Sequence, residues 1–317
     1  MKTRDFGDYF DTESVIELPD YSNSKWIILK SESGFVEGKL HYPEHRGQEL
    51  IIFEPGFPGD GSSRLERLWL NELLRNNFTV FAARHSGTII NGEHSDNYLN
   101  CPQKQEWAKK HHQILLGKKS HISIADWLIE PLIALEALGD MFDAIHLIGH
   151  SFGGLAIFYS LIEFAKKQPG RAKKVQRVIS LAGSTGKVKD ENDPILKQWS
   201  DYLRRDSTTA RIVIGDPGNN LRILKDAYDK IHNEANLIPE STEVICVMVE
   251  NDELVPIKEA EDIIDTLGRG YLIIDKTEEA DERTGRLAHD MDNLPAQKIV
   301  DFVNIVWKPK SQTTALA

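Results

Sequence analysis

Apolar positions along the chain fall into short continuous runs separated by stretches with helical spacing, an alternation that predicts strands and helices in turn. Residues 50–54 (LIIFE), 78–83 (FTVFAA), 144–149 (AIHLIG), 178–182 (VISLA), 244–249 (VICVMV) and 271–274 (YLII) have the length and apolar continuity of buried strands. Residues 26–29 (WIIL) and 35–42 (FVEGKLHY) come first. The second of these alternates and stops at Pro43, which suits a half-exposed antiparallel edge. Leu65, Leu68, Trp69 and Leu73 share one face of a helix over 64–76, with Asn76 and Asn77 as its stop. Further helices are predicted over 152–167, 257–267 and 294–307. Ser120 or Ser123 can cap a helix running to Leu138, which Pro131 should kink or split. Residues 84–121 show no clear period and read as a long loop, functional or mobile.

The alternation breaks between 185 and 243. Within this stretch Ile195, Leu196, Trp199, Tyr202 and Leu203 fit one amphipathic helix, and Ile223, Leu224, Ala227, Tyr228 and Ile231 fit another. About 59 residues of amphipathic helices need another surface on which to bury their apolar faces. The pattern therefore predicts an α/β fold with a mostly parallel central sheet flanked by helices and a helical lid insertion. Residues 1–184 form the N-terminal part of the core, 185–243 the lid and 244–317 the C-terminal part. The tail SQTTALA is expected to be disordered.

Composition narrows the class. The 317 residues are 40% hydrophobic and 27% charged, without an apolar run long enough to span a bilayer. The opening MKTRDFGDYF has basic residues but no apolar segment of a secretory signal after them. The two cysteines, Cys101 and Cys246, form neither a disulfide framework nor a zinc-ligand spacing, which points to a reducing, cytoplasmic setting. A net charge of −11 repels a phosphate backbone, so nucleic acid is not an expected partner. The basic clusters at Lys166–Lys167 and Arg171–Lys174 follow a helix and suit its C-terminal dipole.

The chemistry centres on Gly149-His150-Ser151-Phe152-Gly153-Gly154, directly after one predicted strand and directly before a helix. A strand turning abruptly into a helix exposes the middle side chain above the sheet, and the close backbone approach requires small neighbours. A G-x-S-x-G match arises by chance about 0.1 times in a chain of this length, and its position between strand and helix lowers that further. This motif resembles the nucleophile elbow of the α/β-hydrolase family, and the resemblance spans about residues 26–307.

The family order is nucleophile, acid, histidine. By that resemblance Ser151 is the nucleophile. Asp252, in the loop Glu250-Asn251-Asp252-Glu253-Leu254-Val255-Pro256, is the acid, with Glu250 and Glu253 as competing carboxylates in the same loop. His289, after the last strand and before the last helix, is the only histidine beyond His232 and is the general base. The oxyanion donors are the backbone N–H groups of Phe152 and of Phe57, the latter in Glu54-Pro55-Gly56-Phe57-Pro58-Gly59; Pro58 has no N–H to offer. His150 should turn away from the serine as a packing or supporting residue. Arg84, His85, Ser86 and Gly87 follow a strand and read either as pocket residues or as a solvated turn. Trp199, Tyr202 and Tyr228 on the lid helices can face the core or the substrate, with the core expected.

These residues imply hydrolysis of an ester, thioester or amide of a small or medium organic substrate through an acyl-Ser151 intermediate. The same acyl-enzyme given to an amine, alcohol or thiol would make an acyltransferase or cyclase, and loss of turnover would leave a binding protein. No H-E-x-x-H or phosphate-binding glycine loop occurs, so neither a metal nor an organic cofactor is expected. The expected partner is a small-molecule acyl substrate.

Overall fold

The apolar runs pair into one sheet in the computed structural model, which describes residues 15–17, 24–43, 47–57, 64–86, 121–205, 213–276, 287–291 and 296–307. In chain order the strands are β1 (Val15–Glu17), β2 (Ser24–Ser31), β3 (Gly34–His41), β4 (Glu49–Glu54), β5 (Thr79–Arg84), β6 (His121–Ile122), β7 (Ala144–His150), β8 (Val175–Leu181), β9 (Val213–Ile214), β10 (Glu243–Val249) and β11 (Tyr271–Asp275). The helices are α1 (Arg64–Arg75), α2 (Ile124–Leu128), α3 (Glu130–Leu138), α4 (Phe152–Lys167), α5 (Pro169–Ala172), α6 (Pro194–Arg205), α7 (Pro217–Asn233), α8 (Ile257–Leu267) and α9 (Ala296–Trp307).

Among the described residues the main sheet runs β1-β2-β3-β5-β4-β7-β8-β10-β11. The pairs β1/β2, β2/β3 and β3/β5 are antiparallel, and every later neighbour is parallel. This is the predicted α/β architecture, with one change at its antiparallel end. β3 lies between β2 and β5 rather than at an edge, and Val36 to Leu40 are buried. Its alternating sequence hid this because Glu37 and Lys39 are buried polar residues.

Side chains on successive strand positions point to opposite faces. Leu50 and Ile52 of β4 join the core beneath α3 and α4, whereas Ile51 and Phe53 join the core beneath α1 and α9. Both faces are thus covered, which accounts for the continuous apolar runs. Fully burying each such side chain contributes about 1.5–3 kcal/mol.

Local signals set the helix ends. The Ser123 side chain caps α2 by accepting the Ala125 N–H at 3.2 Å. Pro131 stands at the start of α3 and the helix divides at Ile129, so the predicted single helix is two. Asn77 follows α1 with φ 64°, a left-handed residue that stops it. The long loop predicted over 84–121 lies mostly outside the described residues. Four short elements went unpredicted, β1, α5, β6 and β9, of which β6 and β9 pair in parallel as a separate two-stranded ribbon. No helix among the described residues is long and apolar enough to cross a membrane.

Candidate active site

Four strand ends converge on Ser151. It follows β7, the loop Pro55–Phe57 follows β4, Asp252 lies after β10 and His289 lies beyond β11. All are at the C-terminal ends of parallel strands, where open α/β sheets bind ligands.

Ser151 has φ 53° and ψ −118°, a region that costs a non-glycine residue on the order of 1–3 kcal/mol. Its surroundings hold it there. The Ser151 N–H donates to the Leu181 carbonyl at 2.9 Å, and its own carbonyl accepts from Gly154 at 2.9 Å and Ser184 at 3.1 Å. A Cβ on Gly149 would stand 2.2 Å from the Gly153 carbonyl oxygen, and one on Gly153 would stand 2.3 Å from that of Glu54. The glycines on either side of the serine are therefore required by packing.

His289 sits on a single 3₁₀ turn, Ala288–Asp290, and is 4% exposed. Its Nε2 is 2.8 Å from Ser151 Oγ, and its Nδ1 is 2.9 Å from Asp252 Oδ2 and 3.1 Å from Oδ1. Asp252 is fixed by the Leu254 and Val255 N–H groups, both donating to Oδ1 at 2.8 Å. Of the three carboxylates in this loop, Asp252 is the one on the imidazole. Glu250 is exposed and 4.0 Å from Lys276. Glu253 accepts the Ala288 and His289 N–H groups at 3.2 and 3.3 Å, so it holds the histidine turn instead.

His150 turns away from the serine and donates its Nε2–H to the His289 carbonyl at 3.0 Å. Burial, then the neighbouring His289, pushes His150 down to about 4, so it stays neutral at physiological pH. The backbone of His289 is thus held at its N–H by Glu253 and at its carbonyl by His150. Sequence reasoning missed this role of Glu253, because a carboxylate binding backbone amides leaves no spacing signal.

Gly56 brings the β4 loop against Ser151: a Cβ there would stand 3.0 Å from Ser151 Cβ and 3.1 Å from His150 Nδ1. Phe57 follows it, and Phe152 is the first residue of α4, where the N–H has no partner within its own helix. The Phe57 ring packs against Trp127 (5.7 Å between centroids), Trp199 (5.4 Å) and Tyr202 (6.4 Å). Trp199 and Tyr228 are buried, as expected, while Tyr202 is half-buried beside the loop.

Arg84 and His85 are neither pocket-lining nor solvated. Arg84 forms a buried two-pronged ion pair with Glu66 at 2.7 and 3.2 Å, and His85 is 0% exposed with Nδ1 2.6 Å from Glu130. Burial of these polar side chains among paired carboxylates is the reason a turn-like sequence, RHS, lies inside. Cys246 is a buried free thiol on β10, raised by burial to about 12 and therefore inert at neutral pH. Cys101 lies outside the described residues.

A sequence profile of the alpha/beta hydrolase fold matches residues 49–211, just over half of the chain. The chain therefore belongs to the α/β-hydrolase fold family. No curated protein sequence matches it. Among solved structures, the esterase Pf2001 of Pyrococcus furiosus is 11% identical with a TM-score of 0.56, over 92% of this chain and 97% of that one. Est1E from Butyrivibrio proteoclasticus, in a structure with ferulic acid bound, is 14% identical with a TM-score of 0.54, over 87% and 97%. The Paleococcus ferrophilus monoacylglycerol lipase is 16% identical with a TM-score of 0.50, over 83% and 98%. At these identities the likenesses concern the fold.

Proposed function

We propose that this protein is a serine hydrolase that cleaves an ester, thioester or amide of a small or medium organic substrate through an acyl-Ser151 intermediate. The observation that carries the reading is the continuous line Ser151 Oγ, His289 Nε2, His289 Nδ1, Asp252, with contacts of 2.8 and 2.9 Å. A serine hydroxyl is a weak nucleophile at its own pKa and needs a base within hydrogen-bond reach. His289 takes the Ser151 proton as Oγ attacks the carbonyl carbon. Asp252 holds the tautomer with the proton on Nδ1 and stabilises the imidazolium. The Phe57 and Phe152 N–H groups stabilise the oxyanion, and His289 then protonates the leaving group. Water, deprotonated by His289, attacks the acyl-enzyme, releasing the acid and restoring Ser151.

The 185–243 stretch serves as a lid. Its described helix α6 sets Trp199 and Tyr202 against Phe57, so movement of α6 would open or cover the oxyanion loop. The three fold neighbours whose names record an esterase, a lipase or bound ferulic acid favour carboxylic esters first. The free buried Cys246 suits a reducing compartment such as the cytoplasm.

The test is a panel of chromogenic esters, thioesters and amides of increasing acyl length, each run with and without added hydroxylamine. Hydrolysis with a pre-steady-state burst, and hydroxamate formed at the expense of free acid, are expected for an acyl-enzyme. Turnover with neither burst nor trapping would contradict it.

A further inference from the structure

A second group of ionisable side chains lies inside the core beneath the oxyanion loop. Glu54 ends β4, His85 follows β5 and Glu130 begins α3, with exposures of 0, 0 and 1%. One ligand-type atom from each lies within 4.8 Å of the other two. His85 Nδ1 is 2.6 Å from Glu130 Oε2, which fixes a proton between them, and Glu130 Oε1 accepts the Ser86 N–H at 3.1 Å. His85 Nδ1 also lies 3.5 Å from Glu54 Oε1, but its proton is already directed at Glu130. Neither Glu54 oxygen has a donor facing it among the described residues.

A buried carboxylate with no protein donor costs several kcal/mol of desolvation, and a buried acid escapes that cost by keeping its proton. Once protonated, Glu54 becomes a donor, and Glu130 is the acceptor opposite it. Burial and the charge of Glu130 both hold the Glu54 carboxyl well above the usual carboxylate range, against a smaller opposing pull from Arg84. A cation shared by the three does not fit the contact: two ligands about 2.1 Å from one tetrahedral ion stand roughly 3.4 Å apart, whereas Nδ1 and Oε2 are at 2.6 Å.

The group touches both sides of the oxyanion hole. Glu54 is bonded directly to Pro55 and so to the Gly56–Phe57 turn. The His85 ring stacks on Trp127 at 4.3 Å and 7°, Trp127 packs on Phe57, and His85 meets Phe152 edge-on at 5.7 Å. We propose that Glu54, Glu130 and His85 form a buried proton-sharing chain, with Glu54 as a neutral acid donating to Glu130, that positions the oxyanion donors on Phe57 and Phe152. The positioning half of this rests on the acyl-Ser151 reading. The three side chains are positioning residues and do not touch substrate.

The proton is read by infrared spectroscopy of protein carrying 13C-labelled glutamate side chains, at neutral pH, as the difference between wild type and Glu54→Gln, in which any band from the buried Glu259 cancels. A protonated-carboxyl band in the wild type that disappears in Glu54→Gln is expected. No such band, or a stoichiometric divalent metal in the purified protein, would overturn the proton chain. Positioning is read by kinetics. Glu54→Gln, which keeps a neutral donor, should retain kcat within about threefold, whereas Glu54→Leu should lower kcat on the order of 10²-fold with KM little changed. If the leucine variant does not fold, Glu54→Asp, which keeps the acid but shortens its reach, should lower kcat about tenfold. Unchanged kcat in the leucine or aspartate variant, or Gln as damaging as Leu, would overturn the positioning role. The infrared band needs no turnover, so a protein that proves not to acylate Ser151 would fail the functional reading while leaving the proton chain to be judged separately.

Discussion

Two histidine–carboxylate pairs lie under the same ends of the sheet and look alike from one side. His289 faces Asp252 through Nδ1 at 2.9 Å, and His85 faces Glu130 through Nδ1 at 2.6 Å. Both histidines are at most 4% exposed. They differ at the far nitrogen. His289 Nε2 meets Ser151 Oγ at 2.8 Å, and Ser151 is itself half-buried and reachable. His85 Nε2 has no partner among the described residues, and its ring lies flat on Trp127. A carboxylate orients an imidazole in either case. Only a hydroxyl on the other nitrogen, open to substrate, makes that imidazole a base.

Substitutions break the likeness unequally. Ser151→Ala removes the acyl acceptor and should lower kcat by on the order of 10³-fold at least, and up to about 10⁶-fold, measured on the best ester from the panel. Asp252→Asn leaves the geometry but favours the wrong imidazole tautomer, so a fall on the order of 10⁴-fold in kcat is expected. The matching change in the other pair, Glu130→Gln, acts only through the position of the oxyanion loop and should cost about tenfold. Equal losses from the two amide substitutions would erase the distinction between the pairs.

The smallest effect on rate is expected at His150. Replacing it by Gln keeps a donor for the His289 carbonyl and should leave kcat within about threefold, while its effect on acid stability is larger. The folded value of about 4 lies below the ordinary 6.5, so the unfolded chain takes up a proton first as pH falls. Stability is lost between those two values, by about 3 kcal/mol from this residue. Urea unfolding at both ends of that window should show the Gln variant losing less than the wild type by about that amount. An equal loss in both proteins would remove His150 as the cause.

Much of this was legible in the residues. The apolar runs located the parallel strands because those strands are covered on both faces, and GHSFGG stood out because Gly149 and Gly153 have no room for a side chain. The acid loop was legible only to within a few residues. Glu250, Asp252 and Glu253 are equivalent as sequence and are separated by which way each side chain turns. The Glu54–His85–Glu130 group left no sequence signal, because its members are 31 and 45 positions apart along the chain and meet only when β4, β5 and α3 are packed. Arg84 and His85 suggested a pocket edge or a solvated turn for the same reason: their burial depends on Glu66 and Glu130, contributed by other elements.

Everything proposed for this site depends on activation of Ser151 by His289 and Asp252. Covalent labelling by a fluorophosphonate, followed by intact-protein mass, tests it without knowledge of the substrate. One adduct is expected on the wild type, none on Ser151→Ala, and labelling of His289→Ala slowed on the order of 10³-fold or more, with all three proteins folded. An unlabelled wild type that also resists small methylphosphonates, or an adduct that persists in Ser151→Ala, would contradict it.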